Sequence, residues 1–156
     1  MKILFLDIDG VVNSQETFKA RYERGGKGRE SDIDPVLAQH VKNIVERTGC
    51  KVVLSSSWRG SEEAEREIEE RVCKLAGRTP RIHRPVGTGM EYCERGREIK
   101  SWMVSNAELV EITRYAIVDD DGDMLPEQQE HFFQTTNEKG ITAEIAEKII
   151  EHLNKI

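Results

Sequence analysis

The stretch Lys2-Ile-Leu-Phe-Leu-Asp-Ile-Asp-Gly10 (KILFLDIDG) decides the fold. Ile3 to Leu6 is a short continuous apolar run, the pattern of a strand buried on both faces of a parallel sheet. It stops at Asp7, and a second carboxylate, Asp9, follows on a glycine turn. Two acids set together at the end of a buried strand repel one another, and one pKa rises unless a cation sits between them.

The same design recurs downstream. Lys51 to Ser55 (KVVLS) reads as a second buried strand and leads into Ser56 and Ser57. Tyr115 to Asp119 (YAIVD) reads as a strand ending in acid, with Asp120, Asp121 and Asp123 behind it. Helical segments alternate with these strands. Asp34 and Pro35 form an N-cap and first-turn pair, and the spacing predicts a helix from there to about Arg47. Val36, Leu37, Val41, Ile44 and Val45 are expected on its buried face, and Gly49 ends it. Ser61 is a candidate N-cap for a charged helix reaching about Ala76, with Glu62 and Glu63 at the positive end of its dipole. A short strand is expected around Ile82, between Arg78 and Val86. A helix from Gly96 to about Val104 should turn Ile99, Trp102 and Met103 inward. His131 to Thr135 reads as the last strand. Thr142 to Leu153 reads as an amphipathic closing helix with Ile145, Ile149 and Leu153 inward.

Repeated strand–helix alternation implies one α/β domain over residues 1–156, a central parallel sheet covered on both faces by helices. Residues 13–34 are expected as a polar flap or loop insert. With 156 residues there is room for one core, and 37% hydrophobic content excludes wholesale disorder. A net charge of -6 excludes a general basic coat for nucleic acid, though not a local basic patch. No apolar run approaches the ~20 residues of a membrane span, and the opening run is too short for a signal-peptide core. Cys50, Cys73 and Cys93 form no CxxC pair, so neither a disulfide framework nor a structural zinc site is expected, and a cytoplasmic setting is. A monomer or weak homodimer is expected.

Ligands of parallel sheets bind beyond the carboxyl ends of the strands. Asp7, Ser55 and Asp119 all stand at such ends. Clustered carboxylates suit Mg²⁺, a hard ion that keeps several waters and accepts a phosphate oxygen. With hydroxyl donors and a fixed cation such as Arg95, the set fits phosphoryl transfer: one aspartate attacks phosphorus and a second acid protonates the leaving oxygen. Taken alone, a DxD pair reads as a cap or turn, and DDDGD reads as a solvated loop. Their joint placement at strand ends is what carries the chemistry.

These residues resemble the haloacid dehalogenase (HAD) superfamily of phosphohydrolases. FLDIDGVVN (Phe5 to Asn13) is similar to its first motif, and KVVLSSSWR (Lys51 to Arg59) to its second. RGREIKSW (Arg95 to Trp102) is similar to its third motif, and YAIVDDDGDM (Tyr115 to Met124) to its fourth. The resemblance implies a three-layer α/β/α Rossmann-like HAD fold with a minimal cap. It implies a phosphoric monoester hydrolase, with Asp7 as nucleophile forming an aspartyl-phosphate. Asp9 would be general acid, then base. Mg²⁺ would be held by Asp7, the Asp9 main-chain carbonyl, Asp120 and Asp119, with Asp123 a further candidate. Ser55 would bind the transferring phosphoryl group, with Ser56 one residue away as the alternative. Arg95 would supply the positive charge, with Arg97 and Lys100 as competitors. Gly10, Ser56 and Arg59 are the candidate substrate-binding residues. Arg59 reaches either a substrate phosphate or a helix acid.

Within the superfamily the motifs are similar to small HAD domains of nucleic-acid repair proteins, which implies a phosphorylated substrate such as a nucleic-acid or nucleotide 3′-phosphate. A small-molecule phosphatase, or a non-catalytic module that binds phosphorylated ligands, is the alternative. The gaps between Asp7 and Ser55 and between Arg59 and Arg95 are too short for a large cap, so the site should be open. Lys19 to Glu30 holds Lys19, Arg21, Arg24, Lys27 and Arg29 around Tyr22, with Phe18 just before. This tract is either a solvated loop or a flap that grips nucleic-acid ends by phosphate contact and stacking. Arg78, Arg81, His83 and Arg84 are a second basic stretch, at the same opening or simply at the surface. Trp58 and Trp102 read as packing residues.

Overall fold

A computed structural model describes residues 1–26, 31–82 and 94–156. Lys27 and Arg29 of the first basic tract, His83 and Arg84 of the second, and Cys93 lie outside the described residues. Strands β1 (Lys2–Leu6), β2 (Lys51–Leu54), β3 (Leu75–Arg78), β4 (Arg114–Asp119) and β5 (Phe132–Gln134) form one parallel sheet in the order β3-β2-β1-β4-β5. The connecting helices are α1 (Gln15–Glu23), α2 (Pro35–Thr48), α3 (Glu62–Arg71), α4 (Glu94–Asn106) and α5 (Ala143–Asn154). The expected α/β class and central parallel sheet are both present.

Alternation along the strands divides the core in two. Leu4 and Leu6 of β1, Val52 and Leu54 of β2, and Ala116 and Val118 of β4 face Val41 and Ile44 of α2, Ile68 of α3 and Ile149 of α5. Ile3, Phe5, Val53 and Ile117 face the other way, onto Ile99 and Trp102 of α4. Trp102 meets Phe5 edge-on, with ring centroids 5.5 Å apart. Both faces of the sheet are therefore dry, which is why its central strands are continuously apolar.

Local rules set most boundaries. Asp34 accepts a hydrogen bond from the Val36 N–H, Pro35 occupies the first turn of α2, and Gly49 closes the helix at φ 69°. Val36 itself is exposed rather than inward. Five residues before Val41, it is rotated about 140° from that buried position. Ser61 caps α3 as expected, accepting from the Ala64 N–H.

Three expectations are corrected. First, α3 ends at Arg71, and β3 begins at Leu75, inside the stretch expected to be helical. Second, residues 79–82 are not strand, and the remainder of the stretch expected around Ile82, residues 83–86, lies outside the described residues. Leu75-Ala-Gly-Arg carries little β propensity; backbone pairing with β2, through a register shift at Val52/Val53, makes it an edge strand. Third, residues 13–34 are not simply loop, because they contain α1. This helix buries no residue, so it leaves no amphipathic signal. Polar ties hold it instead. Ser14 and Thr17 form a reciprocal capping box, and Thr17 Oγ1 donates to Asp34 Oδ2 at 2.8 Å.

One further segment positions the loop after β1. The Ile141 N–H donates to the Val11 carbonyl at 2.8 Å, and the Gln15 and Glu16 N–H groups donate to the carbonyls of Asn137 and Glu138. Thr135 Oγ1 donates to the Gly10 carbonyl at 2.6 Å. Gly140, at φ 69°, lies so close that an added Cβ would stand 2.7 Å from the Val11 oxygen and 2.8 Å from Leu37 Cδ1. Gly140→Ala should therefore combine a left-handed strain with a clash, costing about 2–4 kcal/mol of stability. Thermal unfolding of the variant checks this; an unchanged Tm would contradict the buttress.

Candidate active site

Sheet register brings the chemistry together. Leu6 pairs with Leu54 on one side and with Val118 on the other, so the residues that follow come level. The ladder continues one step beyond the strands: the Asp7 N–H donates to the Val118 carbonyl at 3.1 Å, and the Ser55 N–H to the Leu6 carbonyl at 2.8 Å. Asp7, Ser55 and Asp119 thus stand on three adjacent strand ends, all buried.

Asp7, Asp119 and Asp120 each place a carboxylate oxygen within 4.8 Å of the others. Gly10 makes this possible. It has φ 80°, and an added Cβ would lie 2.3 Å from Asp120 Oδ2, so only glycine lets Asp120 settle over the turn. The Gly10 N–H is taken by Asn13 Oδ1 at 2.9 Å and its carbonyl by Thr135, so its backbone groups serve the turn itself.

The acids are costly as they stand. Burial pushes the Asp7 carboxyl up to about 7, with the Asp120 charge adding to the rise and the Arg95 guanidinium opposing it. Burial and then the Asp7 charge push Asp119 up to about 9. Asp119 Oδ1 accepts from the Asp121 N–H, but its buried Oδ2 has no hydrogen-bond partner. A buried oxygen without a hydrogen-bond donor, set among acids, suits a divalent cation, and the all-oxygen donor set suits Mg²⁺. The residues present therefore fit that ion.

Arg95, in the first turn of α4, faces this group. Its Nε lies 3.6 Å from Asp119 Oδ2 and 3.9 Å from Glu98 Oε1, and its guanidinium donates to Ser55 Oγ at 3.4 Å. Its competitors are elsewhere: Lys100 pairs with Glu127 at the surface, and Arg97 is exposed. A cleft of about 320 Å³ opens beside Arg95, walled in part by Ser57, Arg81 and Glu98. Of the two serines, Ser55 faces Arg95, whereas Ser56 Oγ accepts the Trp58 N–H at 3.2 Å and stabilises the turn.

Two expected residues are placed differently. Arg59 is buried, donating to Thr79 Oγ1 at 2.8 Å and Glu98 Oε2 at 2.6 Å. Of the two partners the sequence left open, it takes the helix acid. Turning it toward a substrate would break this buried ion pair and leave Glu98 to Arg95 and the Ile82 N–H, so Arg59 braces α4 against the β2 end. Asp123 lies outside the three-acid cluster. Its Oδ2 accepts the Arg95 N–H at 3.1 Å, and its carbonyl accepts the Gly96 N–H, fixing the start of α4.

Asp9 is exposed and its carboxylate also stands outside the cluster, leaving its main-chain carbonyl as the ligand expected of it. Asn13 Nδ2 donates to Asp9 Oδ1 at 2.9 Å, and Trp58 Nε1 donates to Asp9 Oδ2 at 3.1 Å. The sequence reading assigned no role to Asn13, Glu98 or Thr79. Asn13 sits inside the first motif, at a fixed step from Asp9, and could have been found there. Glu98 and Thr79 meet Arg59 only through tertiary packing.

The sequence model of one protein family, described as the HAD domain in Swiss Army Knife RNA repair proteins, matches residues 3–146. No curated protein and no solved structure matches the chain. The match takes in β1 from Ile3 onward, the whole of the other four strands and every residue of the site. The resemblance in the four motifs is thereby extended to nearly the whole chain, and it suggests phosphohydrolase-type chemistry. The chain belongs to the family of HAD domains found in Swiss Army Knife RNA repair proteins.

Proposed function

We propose that this chain is a magnesium-dependent phosphatase that hydrolyses phosphomonoesters through an aspartyl-phosphate on Asp7, with 3′-phosphorylated nucleic-acid ends as its substrates. The observation that carries the reading is the meeting of Asp7, Asp119 and Asp120 within 4.8 Å beside Arg95. Asp7, Asp119, Asp120 and the Asp9 main-chain carbonyl are the groups that would hold Mg²⁺. When bound, the ion neutralises the acids and the phosphate and polarises the phosphoryl group.

The residues then have distinct tasks. The Ser55 hydroxyl and the Arg95 guanidinium hold the non-bridging phosphate oxygens. An Asp7 oxygen attacks phosphorus, and the bond from phosphorus to the ester oxygen breaks as Asp9 gives that oxygen its proton. Asp9, now a carboxylate, takes a proton from water while the water oxygen attacks phosphorus. The bond between phosphorus and Asp7 breaks, and inorganic phosphate leaves.

The substrate class rests on two supports. The family is described by its occurrence in RNA repair proteins. In addition, α1 follows directly from the Asp9 loop and exposes Lys19, Phe18 and Tyr22, a cation with two aromatic rings suited to backbone contact and base stacking. Among the described residues, nothing larger than α1 stands between β1 and α2 as a cap.

Asp7→Asn should lower turnover of a generic aryl phosphate with Mg²⁺ at least about 10³-fold. Full activity would remove Asp7 as nucleophile. Oligonucleotides bearing a 3′-phosphate should be hydrolysed faster than sugar phosphates or 5′-phosphorylated oligonucleotides. The reverse order would favour a small-molecule phosphatase, and ligand binding without turnover would favour a non-catalytic module.

A pH prediction follows from the raised carboxyls. Asp7 and Asp119 hold protons in the folded, metal-free chain that they lose in the unfolded chain at the same pH. The folded state then binds more protons, so stability falls as pH rises from about 4, the ordinary carboxylate value, through the raised values. In EDTA, the Tm should decline between about pH 5 and about pH 9, and saturating Mg²⁺ should offset most of the decline. Asp119→Asn should flatten the slope in EDTA and abolish the Mg²⁺ response. Differential scanning calorimetry across that range would detect a parallel pair of curves, which would contradict the shared site.

A further inference from the structure

Trp58 is half-buried, packed in part against the core on the α2 side of the sheet. Its indole N–H is not spent on a backbone carbonyl. It donates to Asp9 Oδ2 at 3.1 Å. We propose that Trp58 is a positioning residue for Asp9, its indole N–H fixing that carboxyl where it delivers a proton to the leaving group. This rests on the phosphatase reading above, in which Asp9 is the general acid.

Three features make the contact a built one. Asp9 is forked between donors from two different strand ends: Asn13 Nδ2 takes Oδ1 from the loop after β1, and Trp58 Nε1 takes Oδ2 from the turn after β2. One donor on each oxygen fixes the side-chain torsions of an otherwise exposed acid. Each oxygen keeps a second lone pair, so a proton can still be carried on either. The donors are themselves held. Asn13 Oδ1 accepts the Gly10 N–H at 2.9 Å. Trp58 lies in a turn closed by its own N–H to Ser56 Oγ and by the Arg59 N–H to the Ser56 carbonyl. The next residue, Arg59, is locked by Thr79 and Glu98. A rigid anchor therefore stands behind the indole, and rigidity of this kind is what converts proximity into rate.

The leaving group tells this role from simple packing. An alkyl phosphate, such as a 3′-phosphorylated oligonucleotide, needs a proton on its departing oxygen. The phenolate of 4-nitrophenyl phosphate leaves without one. Trp58→Phe keeps the ring and deletes the N–H. It should lower the ratio of kcat/KM for the oligonucleotide to kcat/KM for 4-nitrophenyl phosphate by about tenfold, a fraction of the ~10²–10⁴-fold a general acid supplies. The ratio is independent of the amount of folded enzyme, and Trp58→Met serves as a second donor-free variant. In an Asp9→Asn background, Trp58→Phe should no longer change the ratio. An equal loss on both esters, or an additive loss in the double variant, would overturn the role of Trp58 while leaving the phosphatase reading intact. A wild-type protein inert toward both esters would overturn that reading, and this assignment with it.

Discussion

Three carboxylates meet at the ends of two hydrogen-bonded strands, and much of the surrounding structure manages the repulsion between them. At their separation, an ionised pair repels by about 3–4 kcal/mol at an effective dielectric near 20. Arg95 supplies one positive charge to this group and also contacts Glu98. The remaining imbalance appears as raised carboxyls and as a buried oxygen with no hydrogen-bond donor. A chain that keeps such a cluster forgoes stability at a place where stability would be easy to gain, the usual mark of a functional site. The cluster is one that a divalent cation would neutralise.

The sheet accounts for why the cluster is possible. β1 is flanked by β2 and β4, so its first residue beyond the ladder has a hydroxyl on one side and an acid on the other. The α4 helix then presents Arg95 to this line, braced by the buried Arg59–Glu98 pair and by Asp123. The charged side chains in this brace seat Arg95 beside the acid cluster, and they do so from elements far apart in sequence.

How much of this was legible depended on whether the signal was local. KILFL, KVVL and YAIV announce buried strands because both sheet faces are dry, and Asp34-Pro35 with Gly49 marks both ends of α2. Asp7, Ser55 and Asp119 could be read because each stands immediately past an apolar run, and Asp120 because it follows Asp119. β3 could not: Leu75-Ala-Gly-Arg is strand only because β2 offers it an edge. α1 buries nothing and so has no periodicity to read. The partner of Arg59 was open because Glu98 and Thr79 reach it only in three dimensions. Trp58 was read as packing, which describes its ring and omits its N–H.

Register locking has a consequence for how the chain can vary. Because Asp7 is level with Ser55 and Asp119 through continuous backbone pairing, a single residue added within β1 would swing Asp7 to the opposite side of the sheet and pull the whole loop off the Thr135–Ile141 buttress. α3 is coupled in the same way to the edge of the sheet: Glu69 accepts the Leu75 N–H at the start of β3, and Glu65 pairs with Arg78 at its end. A change of length in β1 or in α3 is therefore transmitted along paired backbone to neighbouring strand ends.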